Sequence, residues 1–216
     1  MNFEQIAAGA RAAAAQLASA GQREKNAALA AISAALRAQT DAILAANALD
    51  VAAAEENGIR PVMVDRLRLT AARISAVADG VDEVAALPDP TGEVLSMTTR
   101  PNGLVVGKKR VPLGVVGIIF ESRPNVTVDA AALCLKSGNA CILRGGREAL
   151  RTNLMLADVM RRALDSVGAA LERQARHVVL EGDVQPRRCG TDLPAGLLGL
   201  GVEGRHPVQK EVGVGQ

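Results

Sequence analysis

The stretch Val111-Pro112-Leu113-Gly114-Val115-Val116-Gly117-Ile118-Ile119-Phe120 constrains this chain more than any other. An almost unbroken apolar run with β-branched residues predicts a strand covered on both faces, as in a parallel sheet. A polar loop, Glu121 to Asn125, leads into a helix from about Thr127 to Lys136, which ends at Ser137-Gly138-Asn139 with a glycine C-cap. Ala140 to Leu143 reads as a second short buried strand. Arg144-Gly145-Gly146-Arg147 follows, then a helix from about Glu148 to Asp165 with Leu150, Leu154 and Ala157 along one side. Residues 111–168 thus form a β-α-β-α unit, whose crossover is expected to be right-handed. His177 to Leu180 is a candidate third strand.

Upstream, residues 3–87 read as helices. Ala-rich sequence from Phe3 to Ala20 breaks at Gly21, and a second stretch carries Leu29, Ile32 and Leu36 on one face. Thr40-Asp41 offers an N-cap for Leu44, Ala48 and Val51 at helical spacing. Asn57-Gly58 followed by Pro61 is a stop, and Ile74, Val77, Val81 and Val84 form another stripe, ended by Pro88-Asp89-Pro90. Short, interrupted stripes fit packed globular helices better than a coiled coil. Over 93–110, Glu93 to Arg100 and Leu104 to Arg110 flank Pro101-Asn102-Gly103 as a β-hairpin. From about Gly182 onward Gly, Arg, Pro and Gln dominate, with neither a helical nor an alternating period.

Composition excludes several functions. A net charge of +2 on 216 residues makes no electrostatic case for a nucleic-acid binder. Phe3 and Phe120 are the only aromatics, which leaves almost no platform for base stacking. Cys134, Cys141 and Cys189 are odd in number and lack metal spacing, so a reducing compartment without structural zinc is expected. His177 and His206, the only histidines, cannot build a His-rich metal site. The opening Met1-Asn2-Phe3-Glu4 has no signal-peptide pattern, and no apolar run is long enough to span a membrane. The expectation is a soluble, cytoplasmic chain that binds no metal, nucleic acid or membrane.

Two segments carry candidate chemistry. Gly145-Gly146, between strand and helix, offers unpaired N–H groups to a phosphate, and Arg144 and Arg147 flank it for a second phosphate, such as one on the 2′ position of a dinucleotide. The alternative is an ordinary tight turn with solvated arginines. Gly114-x-x-Gly117 lies inside the strand and lacks the full dinucleotide fingerprint. The loop Glu121-Ser122-Arg123-Pro124-Asn125 leaves the carboxyl end of a predicted central strand, where ligands of open α/β sheets bind. From composition alone, helix capping by Asn125 or Thr127 is the better reading of that loop. Cys134 and Cys141 fall in apolar patterns and read as core residues, not activated thiolates.

The segment Val111 to Ala140, continuing through Ile142-Leu143-Arg144-Gly145-Gly146-Arg147-Glu148-Ala149, resembles the gamma-glutamyl phosphate reductases of the aldehyde dehydrogenase superfamily. Ile43 to Asp50, Ala86 to Pro90 with Gly92-Glu93-Val94, and Arg100-Pro101-Asn102-Gly103 are also similar to that family. The resemblance covers roughly Phe3 to Gly168. It implies an α/β fold: a partial Rossmann-like cofactor-binding domain over 1–168, preceded by N-terminal helices and a β-hairpin arm. It also implies NADPH-dependent reduction of L-glutamyl 5-phosphate to L-glutamate 5-semialdehyde and phosphate, a step of proline biosynthesis. A cysteine thiolate would displace phosphate, and hydride would reduce the resulting thioester.

By motif, Asn125 matches the asparagine that helps hold the thioester oxyanion. Arg144, Gly145 and Gly146 match adenosine-ribose contacts, and Arg147 suits the extra phosphate of NADPH. Arg123 is read as a contact for the substrate phosphate, and the hairpin as an arm for homo-oligomer formation. The family's nucleophile sits in an Asp-Gly-x-Cys-His context that this sequence does not contain. The tail, 169–216, reads as divergent, and the expectation is a truncated or frame-shifted copy without the catalytic domain. Two functions follow: the family's reductase, or a catalytically inactive fragment that keeps part of the nucleotide-binding half.

Overall fold

The structure, a computed structural model, describes residues 3–167 and 179–180. The readings made for His177 and for most of the tail fall outside these residues.

Five helices come first: α1 (Phe3–Leu17), α2 (Gln22–Ala38), α3 (Thr40–Glu56), α4 (Pro61–Leu67) and α5 (Ala71–Ala86). Gly21 starts α2, its N–H donating to the Glu24 carboxylate at 2.8 Å. Thr70 caps α5 by accepting from the Arg73 N–H at 3.1 Å. The stripes of α2 and α5 are as read, with Leu29, Ile32, Leu36, Ile74 and Val81 buried. Three details differ. Thr40 is not a cap: it lies inside α3 and its hydroxyl donates back to the Arg37 carbonyl at 2.9 Å. The stop at Pro61 begins a further short helix, because proline is tolerated in a first turn. The buried face of α3 is Ile43, Asn47, Asp50, Val51 and Ala54, and Ala48 is exposed.

The hairpin is present: β1 (Val94–Thr99) pairs antiparallel with β2 (Val105–Lys109). Gly103 takes φ +83° in the turn, and its N–H donates to the Arg100 carbonyl at 2.9 Å. Every residue of both strands is exposed, including Leu95, Met97, Val105 and Val106. A lone two-stranded hairpin is marginal in water, and this one buries no face against the other described residues.

The α/β part follows as β3 (Val115–Ile119), α6 (Asn125–Lys136), β4 (Ala140–Arg144), a 3₁₀ turn (Arg147–Ala149), α7 (Leu150–Asp165) and β5 (Val179–Leu180). The sheet order is β3-β4-β5 with both pairings parallel, so the third strand exists at 179–180. α1 and α6 pack on β4, and α7 packs on β5. The expectation that the Val111–Phe120 run is covered on both faces is corrected. β3 alternates, with Ile119 74% exposed, and β4 is the buried strand. The last helix also begins later than Glu148; Ala157 is buried as read, along with Thr152, Asn153, Leu156, Val159, Met160, Ala163 and Leu164, but Leu150 is exposed. No single helix among the described residues is long and apolar enough to cross a membrane.

Candidate functional site

Strands β3 and β4 end side by side, with Ile119 opposite Arg144 and the Phe120 N–H donating to the Arg144 carbonyl at 2.9 Å. The loops after them therefore leave the same end of the sheet. That placement gathers every residue read as a site residue. Arg123, Arg144 and Arg147 are exposed, whereas Asn125, Gly145 and Gly146 are half-buried.

Asn125 is the first residue of α6, two positions earlier than expected. Its amide nitrogen donates to Asp129 Oδ2, one turn on, at 3.0 Å. That bond uses one of the two amide hydrogens. Burial pushes the Asp129 carboxyl up, and the hydrogen bond from Asn125 pulls the other way without cancelling it. Thr127 points inward and donates to Asn153 Oδ1 at 3.0 Å. Neither Asn125 nor Thr127 caps the helix, a correction to the capping reading: the N-cap position is Pro124.

The space that the glycine pair leaves is filled from inside the protein. A Cβ on Gly145 would collide with the amide of Asn153, itself only 2% exposed. A Cβ on Gly146 would collide with the Glu148 carboxylate. Glu148 Oε1 in turn accepts from the Ser122 N–H at 2.9 Å and the Ser122 hydroxyl at 2.6 Å. Burial works to raise the Glu148 carboxyl. It is outweighed by hydrogen bonds from the Ser122 hydroxyl, its own backbone N–H and the Ser122 N–H, so the group lies below the usual carboxylate range.

Beside the turn is a cleft of about 330 Å³. Its lining includes Arg147, Glu148 and Arg151 near the start of α7, with Asp50, Asn57 and Ile59 opposite. Cys134 and Cys141 are buried, and the hydrogen bond to Cys134 together with burial pushes the Cys141 thiol up. Both behave as core residues. Cys189 lies outside the described residues. Among those residues no group of three or more His, Cys, Asp or Glu is placed to hold a metal ion.

The model of the aldehyde dehydrogenase family matches residues 1–182. This chain belongs to that family. It is 59% identical over 165 residues to the gamma-glutamyl phosphate reductase of Thermobifida fusca (strain YX), covering 76% of this chain and 40% of that protein. It is 49% identical over 219 aligned residues to the Moorella thermoacetica protein of the same name, covering 95% of this chain and 51% of that one. The crystal structure of gamma-glutamyl phosphate reductase from Thermotoga maritima matches with a TM-score of 0.77 at 40% identity, over 82% of this chain and 42% of that chain. The chain thus spans about 40–51% of the length of these curated relatives. The expected α/β class holds, as part of an aldehyde dehydrogenase fold.

Four residues around this candidate site escaped sequence reasoning: Ser122, Asp129, Glu148 and Asn153. Asp129 had a signal, since it stands one helical turn from Asn125. Asn153 had a weaker one, as a polar residue among the apolar positions of α7. The Ser122–Glu148 contact spans 26 residues of chain and has no local signature. A first test of the turn is Gly145→Ala, which forces a methyl against the buried Asn153. It should cost about 2 kcal/mol, read as a lower urea midpoint at unchanged slope.

Proposed function

We propose that this chain supplies the nucleotide-holding part of a gamma-glutamyl phosphate reductase activity. The reaction is reduction of L-glutamyl 5-phosphate to L-glutamate 5-semialdehyde with release of phosphate, in proline biosynthesis. One observation carries the reading. The arginine-flanked turn after β4 stands beside the Asn125 loop at one sheet end, in a chain 59% identical over 165 residues to a curated reductase of that name.

The residues fit a 2′-phosphorylated dinucleotide. Exposed guanidiniums pair with phosphate through two parallel N–H donors, and Arg147 lies on the rim of the cleft where such a group can reach it. The turn at Gly145 and Gly146 has its inner side occupied by Asn153 and Glu148, so its outward backbone and Arg144 are what remain for the ribose. NADPH supplies hydride when bound. Asn125, held at one amide hydrogen by Asp129, directs the other toward a developing oxyanion. Arg123 holds the substrate's phosphate until it leaves. The thiolate step belongs to an Asp-Gly-x-Cys-His context, which the sequence in hand does not contain, so the role proposed here is confined to cofactor, oxyanion and substrate phosphate.

The arm supports homo-oligomer formation: a second copy would cover Leu95, Met97, Val105 and Val106, which the chain itself leaves exposed. A cytoplasmic setting goes with the reading, in line with the free thiols of Cys134 and Cys141. Titrating the full chain with NADPH, NADH and ATP by ligand fluorescence and competition tests the assignment. NADPH should bind at least about tenfold more tightly than NADH, and Arg147→Ala should remove that preference by weakening NADPH alone. Equal affinity for all three ligands would defeat it.

A further inference from the structure

We propose that Glu148 is a positioning residue that latches the loop after β3 to the turn after β4, so that the Asn125 and Arg147 sides of the site form one rigid piece. The inference rests on the nucleotide-site reading above and goes beyond it, since Glu148 is given no contact with cofactor or substrate.

Three independent observations converge on the latch. The first is the paired hydrogen bond: backbone and side chain of Ser122 both donate to the same oxygen, Glu148 Oε1, at 2.9 and 2.6 Å. Two donors on one ionised acceptor form a short, strong contact. The second is the backbone of Ser122, which has φ +40° and is the only non-glycine residue among those described in the left-handed region. A serine keeps that conformation only when its surroundings hold it there, and Ser122 is 5% exposed with Glu148 as its clamp. The third is Gly146. Its missing side chain is what gives the Glu148 carboxylate its seat, because a Cβ there would overlap all three atoms of that group.

The consequence reaches the site through the chain. Arg123 follows Ser122 directly, and Asn125 begins α6 two residues later. On the other loop, Arg147 precedes Glu148. The β3–β4 ladder brings the two loops to one end of the sheet, and past Phe120 no backbone hydrogen bond joins them among the described residues. The carboxylate joins them there instead. Glu148 also accounts for a residue choice that the backbone alone leaves open: Gly146 has φ −68°, which any residue adopts, and the latch says why a glycine stands there.

Amide hydrogen exchange on the full chain, read at Ser122, together with NADPH affinity, tests the proposal in Glu148→Ala, Glu148→Gln, Gly146→Ala and the Gly146→Ala/Glu148→Ala double variant. Removing the acceptor should speed Ser122 exchange about 100-fold while Ile142 in β4 stays protected, and should weaken NADPH about tenfold. Glu148→Gln keeps an acceptor oxygen and should retain most of both. Gly146→Ala should match Glu148→Ala, because the methyl evicts the carboxylate, and the double variant should be no worse than either single change. Unchanged Ser122 exchange in Glu148→Ala, or additive losses in the double variant, overturns the latch. Faster exchange with unaltered NADPH affinity overturns the positioning role and leaves the nucleotide reading standing. Failure of the unmodified chain to bind NADPH removes that reading and the positioning role with it, while exchange still decides whether the latch exists.

Discussion

Lys25→Met should lower the unfolding free energy of the full chain by about 3–4 kcal/mol, a drop of about 10 °C in midpoint for a domain of this size. Lys25 is fully buried near the start of α2. Its ammonium donates to both oxygens of Asp89, at 3.1 and 2.9 Å, and to the Thr91 hydroxyl at 3.0 Å. Methionine keeps most of the volume and removes the charge, so the effect isolates the carboxylate left behind in a largely buried place. Changing both partners should hurt less than changing one, and Lys25→Met/Asp89→Asn should recover about half of the loss.

Acid gives a second reading of the same pair. Burial alone would raise the Asp89 carboxyl, but the Thr91 N–H and Lys25 outweigh it and hold it below its ordinary value. A carboxyl depressed on folding contributes stability above its unfolded pKa of about 3.9 and loses it as pH falls through the lower folded value. Replacing Lys25 removes part of that depression. The gap between variant and parent should therefore narrow as pH falls below about 4. A gap under about 1 kcal/mol at neutral pH, or one that stays constant into acid, speaks against the pair.

Asp50→Ala should cost about 3 kcal/mol and, unlike a surface change, should release the start of α7. Asp50 stands near the end of α3 and is 2% exposed. Its Oδ2 accepts from the Thr152 N–H and the Thr152 hydroxyl, each at 2.7 Å, which makes it an N-terminal cap supplied by another helix. Alanine leaves the Thr152 N–H buried without a partner. Urea unfolding gives the total, and amide exchange at Thr152 gives the local part. Asp50→Asn, which retains an accepting oxygen, should fall between. A loss below about 1 kcal/mol with Thr152 still protected would mean that water replaces the carboxylate.

Asp50 and Thr152 also mark where sequence reading fell short. On α2 and α5 the apolar period located the buried face correctly, because Leu29, Ile32, Leu36, Ile74 and Val81 meet other apolar groups. On α3 and α7 the stripe was only partly right: Val51 and Ala157 are buried and Leu44 and Leu154 pack on the core, but Ala48 and Leu150 are exposed. There the buried positions include Asn47 and Asp50 on one helix and Thr152 and Asn153 on the other. Asn47 and Asp50 bond to Thr152 across the interface, Asn47 donating to its hydroxyl at 3.2 Å, and Asn153 accepts from Thr127 on α6. A hydrophobicity period scores such positions as solvent-facing, because the partner that makes burial tolerable lies about 105 residues away.

The sheet suffered a related error. The residues of β3 are apolar enough for a strand covered on both sides, but Ile119 has no cover among the described residues, and an apolar run alone does not say which neighbour supplies it. At the site, Arg144, Gly145, Gly146, Arg147 and Asn125 were picked out by the family motif, with the strand-to-helix placement of the glycine pair as the one local signal. Glu148 and Ser122 were not, since charged and hydroxyl side chains near a turn are ordinary until the fold brings them together.

The hairpin's two legs are fastened at one spot. Thr91, where the chain departs, and Pro112, where it returns, both lie against Gly138, whose hypothetical Cβ would stand 3.3 Å from the Thr91 hydroxyl and 3.0 Å from the Pro112 ring. Gly138 follows the last residues of α6, and Asn125 is at the other extremity of that helix, which has 12 residues and is about 18 Å long. A rod of that length joins the foot of the hairpin to Asn125, for which an oxyanion role is proposed above. A neighbour pulling on the hairpin would therefore strain the seat of Asn125 through a single stiff member, and assembly and reactivity would share one mechanical axis.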